Sequence, residues 1–551
     1  MIRTRLKELV DECFQHGVDN GWWSEAAAGK YVVEAPKHKN QGDFATNLAM
    51  VLAGIEKGNP REFAGRIRDW LADHTELINS VDIAGPGFVN IRVAAAAWHQ
   101  VIATVAEQGE RFGYGSVGGG RKVMVEFVSA NPTGPLSIGH GRQAILGDSI
   151  ARLLEATGHG VTREYYYNDA GRQMRILGES TRARYLELLG ESAPFPEDGY
   201  QGDYIYDIAR ELVEEQGDAL KNETSAAPFT AKAEQVIFRM IQSSLHRLGI
   251  EFDNFYNERS LYEAGLVDAV VADLRELGLV YEQEGATWFR ASSCGQEQDR
   301  VIIKSSGEPT YRLPDIAYHR EKFRRGFEWL INVLGSDHIA TVPDVVAGLT
   351  ALGLAGDKVT VVLHQFVTLL RDGKQVKMST RRATFITVDE LLDEVGADVV
   401  RFYFLMRKPE AQLEFDLNLA ASQSQENPVY YVQYGYARLC SMLRQATERG
   451  YGEGADTADY RLLVEEEEIE LLKLMGAFPT LVEQAALNLE PHRMIFYLRE
   501  LAAHFHSYYN KHRVIGENRQ LTYARLALAT CLKTVFGNGL KMIGLNAPET
   551  M

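Results

Sequence analysis

Hydrophobic positions through the middle of the chain follow two periods. Residues 123–128 are nearly continuous in apolar character, which suits a strand buried on both faces of a parallel sheet. After a Gly/Pro-rich stretch, Ile145, Leu146, Ile150, Leu153 and Leu154 recur at helical spacing up to Gly158, a helix stop. A second β-rich run covers 161–167. Strand, loop, helix, strand is a βαβ unit. Its first loop falls at the carboxyl end of a strand, where open α/β sheets bind ligands. Further buried-type strands are predicted at 329–334 and 359–366. Thr387 and Glu390 have capping-box spacing before Leu391 and Leu392 and predict a helix start.

The flanks read differently. Residues 1–112 alternate helical periodicity with short strand-like runs: a strand at 31–34, a helical stretch at 48–52, a helix opening at Asn59-Pro60, and a Gly85-Pro-Gly87 turn leading into a strand. A glycine-rich stretch, 113–120, reads as a join linking this part to the next domain. Residues 180–290 read as mainly helical, and strand-like alternation returns at 287–304. From about Glu426 the pattern is helical throughout. Asn427 and Pro428 suit an N-cap and first helical position, and long periodic stretches follow at 460–488, 491–512 and 520–543.

Candidate chemistry sits in the loops. In Ser137-Ile-Gly139-His140-Gly141, the glycines let backbone approach a phosphate, and the helix behind aims its N–H groups and dipole at the same place. His140 can donate to phosphate oxygens. Neither the Gly-x-x-x-x-Gly-Lys nor the Gly-x-Gly-x-x-Gly pattern is present. The basic stretch 374–382 carries Lys377, Met378 and Ser379 and could neutralise charge on a transferring phosphoryl group. Gly335, Asp337 and His338 end the strand at 329–334, and a carboxylate there can accept from ribose hydroxyls. His338 could instead pack at a helix start. Asp315 suits the first turn of a helix, or it could answer a planar guanidinium bidentately. Glu126 points out of an apolar strand, which is expensive without a partner and favours a binding role. Asn168, Asp169 and Gln173 follow the second strand and could line a pocket; Asp169 could equally cap the next helix. Asp398 and Arg401, three apart, could form a surface pair. Tyr430, Tyr431 and Tyr434 crowd one segment, and such aromatics pack or stack on unpaired bases.

The bulk properties change this picture little. The chain has 551 residues, 45% hydrophobic and 24% charged, as expected of several well-cored domains. Its four cysteines, Cys13, Cys294, Cys440 and Cys531, make no C-x-x-C pattern and no disulfide framework, so a reducing cytoplasm is expected. No signal-type or membrane-spanning run is evident. The net charge of -17 argues weakly against a nucleic-acid partner, because local basic patches can hold a large RNA. Lys322-Phe-Arg324-Arg325 and 374–382 are candidate patches.

Together, Ile138-Gly-His140-Gly141 and Lys377-Met-Ser379 resemble the HIGH and KMSKS signatures of class I aminoacyl-tRNA synthetases. Asn131-Pro-Thr-Gly-Pro135, Tyr167-Asn-Asp-Ala-Gly171, Pro309-Thr-Tyr311-Arg-Leu-Pro-Asp315-Ile-Ala-Tyr318, Asn427-Pro-Val-Tyr-Tyr431 and Ala547-Pro-Glu-Thr-Met551 are similar to one branch, the arginyl-tRNA synthetases, nearly end to end. The resemblance implies a multidomain α/β fold. A Rossmann-like parallel-sheet catalytic domain at 121–405, with the helical insertion near 180–290, would lie between an N-terminal α+β tRNA-contacting domain at 1–112 and a C-terminal all-α helical bundle at 420–551 that binds the anticodon. It implies an ATP-dependent ligase that forms arginyl-adenylate and passes arginine to the terminal adenosine of its cognate tRNA. Mg²⁺ is expected with ATP, tRNA is expected to be needed for activation, and a monomer without a membrane partner is expected.

Residue roles follow from the same resemblance. His140, Lys377 and Ser379 would be catalytic. Ser137, Gly139, His140, Gly335, Asp337, His338, Lys377 and Met378 would bind ATP. Glu126, Ser129, Asn131, Tyr311 and Asp315 would bind arginine, and Tyr430, Tyr431, Tyr434 and Met551 would contact tRNA. No resident metal ligand is expected. The chain departs from the family at Ser137, where the signature begins with His, and at Thr380-Arg381, which replaces the final Lys-Ser.

Overall fold

The computed structural model of the protein describes residues 2–36, 38, 41–74, 76–336, 341–376, 386–451 and 458–551. The N-terminal part packs helices α1 (Ile2–Asp19), α2 (Leu48–Glu56) and α3 (Pro60–Ala72) on an antiparallel sheet. Its strands β1 (Val33–Glu34), β2 (Phe44–Thr46), β3 (Ile78–Ala84) and β4 (Phe88–Val93) run in the order β1-β2-β4-β3. The Asn59 side chain accepts from Arg61 N and Pro60 occupies the first turn of α3, as the local sequence predicts. Helix α4 (Ala95–Gln108) follows.

The glycine-rich join at 113–120 is a packed strap. Gly115 N, Gly118 N and Gly120 N donate at 2.8 Å to the carbonyls of Ala156, Thr157 and Gly158. A Cβ on Gly118 would meet the His159 ring at 2.5 Å, so glycine is needed there for close approach rather than for looseness.

The chain then runs through β5 (Lys122–Glu126), α5 (Ile138–Ala156), β6 (Gly160–Tyr167), α6 (Gly171–Leu188), α7 (Asp203–Gln216), α8 (Ala227–Arg247) and β7 (Asn254–Asn257). Two helices, α9 (Arg259–Glu263) and α10 (Leu266–Glu276), precede a small antiparallel sheet of β8 (Val280–Gln283), β9 (Ala286–Phe289) and β10 (Arg300–Ile303). After α11 (Arg312–Arg324), β11 (Trp329–Gly335), α12 (Val342–Ala351) and β12 (Val359–His364) complete a five-stranded parallel sheet in the order β12-β11-β5-β6-β7. The chain leaves β5 for β6 on one side and returns through β11 on the other. The carboxyl ends of β5 and β11 therefore flank a topological switch point, the usual ligand crevice of such sheets.

Two details differ from the sequence reading. The first strand stops at Glu126, because Val128 (φ 67°) and Ser129 (φ 45°) turn into the left-handed region. That conformation is rare for a β-branched residue and marks a strained functional turn. The region read as a helical insertion also supplies β7, the fifth strand of the central sheet. Four residues without alternation carry no local strand signal; pairing with β6 creates the strand.

Beyond the sheet, β13 (Val367–Arg371) pairs with β14 (Lys374–Gln375) and, in parallel, with β15 (Leu413–Asp416). Between them lie α13 (Val388–Val395) and α14 (Ala397–Leu405); α15 (Leu417–Ala421) leads out. The Thr387–Glu390 capping box forms as predicted. The C-terminal part is α16 (Pro428–Ala446), α17 (Glu466–Leu487), α18 (His492–Lys511) and α19 (Arg519–Met542). Asn427 caps α16, with Pro428 in its first turn. Helices α17 and α19 also pack on α4 and α5. Lys473 pairs with Asp43 at 2.8 Å, and the Asn538 amide donates to Gly109 O and Phe112 O at 3.0 and 2.9 Å.

Asp398 and Arg401 are not a surface pair. Arg401 is 1% exposed and donates to Asp148 Oδ2 at 2.6 Å, to Leu248 O at 2.9 Å and to Ile543 O at 2.9 Å. Asp398 instead accepts from Asn546 and Gln433. Burial alone would raise the Asp148 carboxyl, but Arg401, Arg152 and Arg163 outweigh it and hold it below the usual carboxylate range. A Cβ on Gly544 would come within 2.2 Å of Arg401 Nη2, so the backbone closes directly over the guanidinium. The segment after α19 is thereby joined to α14 and, through Asp148, to α5.

Candidate active site

A cavity of about 520 Å³ opens at the switch point between β5 and β11. It gathers Glu126, Ser129, Asn131, Tyr311 and Asp315 from the expected arginine-binding set, and Ser137, Gly139, His140 and Gly335 from the expected ATP-binding set. Asp337, His338, Lys377, Met378 and Ser379 lie outside the described residues. Tyr430, Tyr431, Tyr434 and Met551 are elsewhere, on α16 and after α19.

One side of the cavity is acidic. Glu126 ends β5, and the strained turn after it brings Ser129 Oγ back to donate to Glu126 Oε1 at 3.1 Å; the same hydroxyl accepts from Tyr166 N. The other Glu126 oxygen is bound by Lys322, which is fully buried and also donates to Asn332 Oδ1 at 3.1 Å. The cost of burying Glu126 is thus met by Lys322 within the protein, so burial cost alone does not argue for a ligand there. Of the candidate basic patch Lys322-Phe-Arg324-Arg325, only Arg324 is exposed. Arg325 grips Glu164 through both oxygens at 2.8 and 2.5 Å, so neither cation is a free surface charge.

Asp315 and Glu258 have no such cation among the described residues. Both line the cavity, and Glu258 accepts from Tyr166 OH at 2.8 Å. Burial, together with Glu126 and Glu258, pushes the Asp315 carboxyl up to about 7, with Lys322 opposing. The sequence reading missed Glu258. It follows the unforeseen strand β7, and nothing local distinguishes it from a surface glutamate. Tyr311 stands at the mouth, 84% exposed.

Asn131 bridges two loops. Its Oδ1 accepts from Asn168 N at 3.0 Å and its Nδ2 donates to Gln173 at 3.1 Å. Asn168, not Asp169, serves the turn into α6, accepting from Ala170 N at 2.8 Å; Asp169 pairs with Arg259 at 3.1 Å.

At the other end, Ser137 caps α5. Its Oγ accepts from His140 N, and His140 Nδ1 accepts from Ser137 N at 3.3 Å. A backbone N–H can only donate, so Nδ1 is the bare nitrogen and the proton sits on Nε2. Burial lowers the His140 pKa, which keeps the ring neutral with one N–H to offer. The same turn holds neighbouring segments. Val388 N donates to Leu136 O at 2.9 Å, Ser137 bridges Thr387, and a Cβ on Gly141 would lie 2.8 Å from Val388.

In the C-terminal helices Tyr430 and Tyr434 stack at 5.7 Å, and Arg438 lies between Tyr434 and Tyr509 at 4.5 and 4.7 Å. Tyr431 packs on His506 at 4.6 Å. Met551 is 52% exposed. No helix of the described residues is long and apolar enough to cross a membrane.

Three sequence families match consecutive parts of the chain. The arginyl tRNA synthetase N-terminal domain matches 1–93, the catalytic domain of class I (R) tRNA synthetases matches 103–405, and the DALR anticodon binding domain matches 432–551. An arginine–tRNA ligase of Desulfotalea psychrophila is 64% identical over 552 residues, covering 100% of both chains. One from Salinibacter ruber is 48% identical over 94% of this chain and 95% of its own. The solved arginyl-tRNA synthetase of Thermus thermophilus superposes with a TM-score of 0.76 at 23% identity, covering 100% of each chain, and shows the shared fold. The chain belongs to the class I arginyl-tRNA synthetases, ligases that use ATP to join arginine to tRNA.

Proposed function

We propose that the cavity holds arginine and ATP end to end. The observation that carries this is the convergence of Glu126, Glu258 and Asp315 on one wall, with Lys322 already committed to Glu126. The two carboxylates without a cation suit a guanidinium. Glu126 and Ser129 then take the α-ammonium, Asn131 the carboxylate, and Tyr311 covers the mouth. This directs the substrate carboxylate toward the N-terminus of α5, where Gly139 and the helix dipole favour phosphate.

A carboxylate oxygen of arginine attacks the α-phosphorus, the bond to the bridging oxygen breaks, and pyrophosphate leaves. The 3′-terminal adenosine hydroxyl of tRNA then attacks the carbonyl carbon, and AMP leaves. His140 donates from Nε2 to phosphate oxygen, Lys377 supplies positive charge, Ser379 serves loop closure and phosphate contact, and Met378 contacts ATP. Gly335, Asp337 and His338 hold the nucleoside. The protein contributes alignment and charge stabilisation more than covalent chemistry. Mg²⁺ enters with ATP, since this ion dehydrates reluctantly and is held largely by substrate phosphates.

The same reading divides the chain at 1–112, 121–405 and 420–551, with Tyr430, Tyr431, Tyr434 and Met551 meeting the tRNA. It makes the enzyme a cytoplasmic monomer that activates arginine when tRNA is bound. Arginine-dependent ATP–pyrophosphate exchange, with and without tRNA, tests it. Exchange with arginine alone among the amino acids, silent without tRNA, is expected. Exchange with another amino acid would overturn the assignment of the acidic wall.

A further inference from the structure

Arg142 follows His140 by two residues and is fully buried in α5. Its guanidinium reaches no carboxylate in an ion pair among the described residues. It donates instead to three backbone carbonyls: Gln365 O at 2.6 Å, Lys408 O at 3.1 Å and Ala411 O at 2.9 Å. Gln365 N in turn donates to Pro409 O at 3.0 Å, so the two segments are joined to each other as well. Its Nε has no partner. Burial pushes its pKa down to about 10, against the field of Glu410. A buried cation answered by carbonyl dipoles alone is a costly way to fill space, and a hydrophobic side chain would serve packing as well. What the planar fork supplies is a fixed spacing between three acceptors.

One of those acceptors, Gln365, matters because of where it sits. His364, Gln365 and Phe366 form a wall of the cavity that also contains His140, and Phe366 is 70% exposed there. The adjoining residue, Gln143, donates to Val333 O in β11 and lines the cavity too. The first turns of α5 are therefore tied to the sheet through Gln143 and to the 364–366 wall through Arg142. Arg142 itself does not line the cavity, and it touches none of Glu126, Glu258, Asp315 or Lys322.

We propose that Arg142 is a positioning residue that sets the distance between His140 and the 364–366 wall, and so the geometry of the ATP end of the cavity. This rests on the assignment of the His140 end to ATP.

The test compares full-length Arg142→Met and Arg142→Lys with the parent enzyme in tRNA charging, varying ATP and arginine separately and measuring melting temperature alongside. For Arg142→Met, kcat should fall by about 10- to 100-fold, the scale of a misplaced reactant. KM for ATP should rise and KM for arginine should stay within about twofold. Arg142→Lys keeps the charge and reaches part of the acceptor set, so it should recover some of the loss. Equal rises in both KM values, or a lower melting temperature with unchanged kcat and ATP KM, would overturn the proposal and leave Arg142 a fold-holding residue. If Arg142→Met does not fold, the folded Lys variant decides on the same split. His140→Gln separates the premises. Unchanged kcat in that variant overturns the ATP-end assignment itself, whereas a loss there with none in the Arg142 variants overturns the positioning role alone.

Discussion

Lys322 Nζ and Glu126 Oε2 form an ion pair in which the lysine is completely buried, beneath the acidic wall of the cavity. The lysine is anchored from β11 by Asn332 and lies 4.2 Å from the centre of the Tyr318 ring. It fixes one oxygen of Glu126, while Ser129 donates to the other. Lys322→Met should destabilise the protein by about 3–5 kcal/mol, because it strands a buried carboxylate. It should also raise KM for arginine. Urea unfolding and arginine-dependent charging read the two effects, and a stable variant with unaltered KM would remove Lys322 from substrate recognition.

Asp315 gives the enzyme a pH signature. With its carboxyl near 7 in the empty cavity, it is protonated in mildly acidic solution, whereas a bound guanidinium requires the anion. Arginine binding below pH 7 should release a proton, and KM for arginine should fall as pH rises from about 6 to about 8, by at most about tenfold per unit. Asp315→Asn should flatten that dependence. Stability runs the other way. The folded pKa lies above the reference value of 3.8, so the unfolded chain loses this proton first. This group therefore lowers the stability of the empty enzyme as pH rises from about 4 to about 7.

Glu258 and Asp315 should behave as a pair. Glu258→Gln and Asp315→Ala should each raise KM for arginine by about 10- to 100-fold, the scale of one charge-assisted hydrogen bond. KM for ATP should hold. A Glu258→Gln enzyme with normal arginine KM would show that Glu258 serves Tyr166 alone.

Ser137 is a helix cap, at the position where the resemblance to the HIGH signature leads one to expect histidine. Ser137→Ala should cost about 1 kcal/mol of stability, read as a lower melting temperature. Ser137→His gives up the serine acceptor and adds a ring donor near the phosphates. It should raise kcat by up to about 10²-fold while lowering the melting temperature. No gain in kcat would mean that a neighbouring group already supplies the donor.

Lys377→Ala should depress kcat by about 10²- to 10³-fold with little change in arginine KM. Single-turnover formation of arginyl-adenylate is the direct readout, and a normal rate would undo its role in charge stabilisation.

Local signals were legible and long-range pairings were not. Asn59-Pro60, Thr387 with Glu390, and Asn427-Pro428 mark helix starts because caps bind backbone two or three residues away. The βα turn around Gly139 was readable for the same reason. Lys322 and Glu126 are 196 residues apart, and Arg325 and Glu164 are 161 apart. Their sequence neighbourhoods look like an exposed basic patch and an ordinary strand, so partner identity appears only when β11 and α11 close on β5 and β6. Glu258 was hidden in the same way behind β7. The turn at Val128 and Ser129 went unseen because a β-branched residue ordinarily forbids it.

The joint at Arg401 bears on how the enzyme is made. Its acceptor at Ile543 lies 142 residues downstream, and Asp148, the carboxylate that neutralises it, lies 253 residues upstream. Domains generally fold as units while the ribosome is still working. Here the parallel sheet can assemble early, but its signature helix α5 gains its last cross-braces once residue 543 has been synthesised. A nascent chain halted between α14 and α19 lacks both the Ile543 acceptor and the Gly544 backbone that closes over the Arg401 guanidinium. An unfinished enzyme is thereby less able to lock its catalytic helix than a finished one.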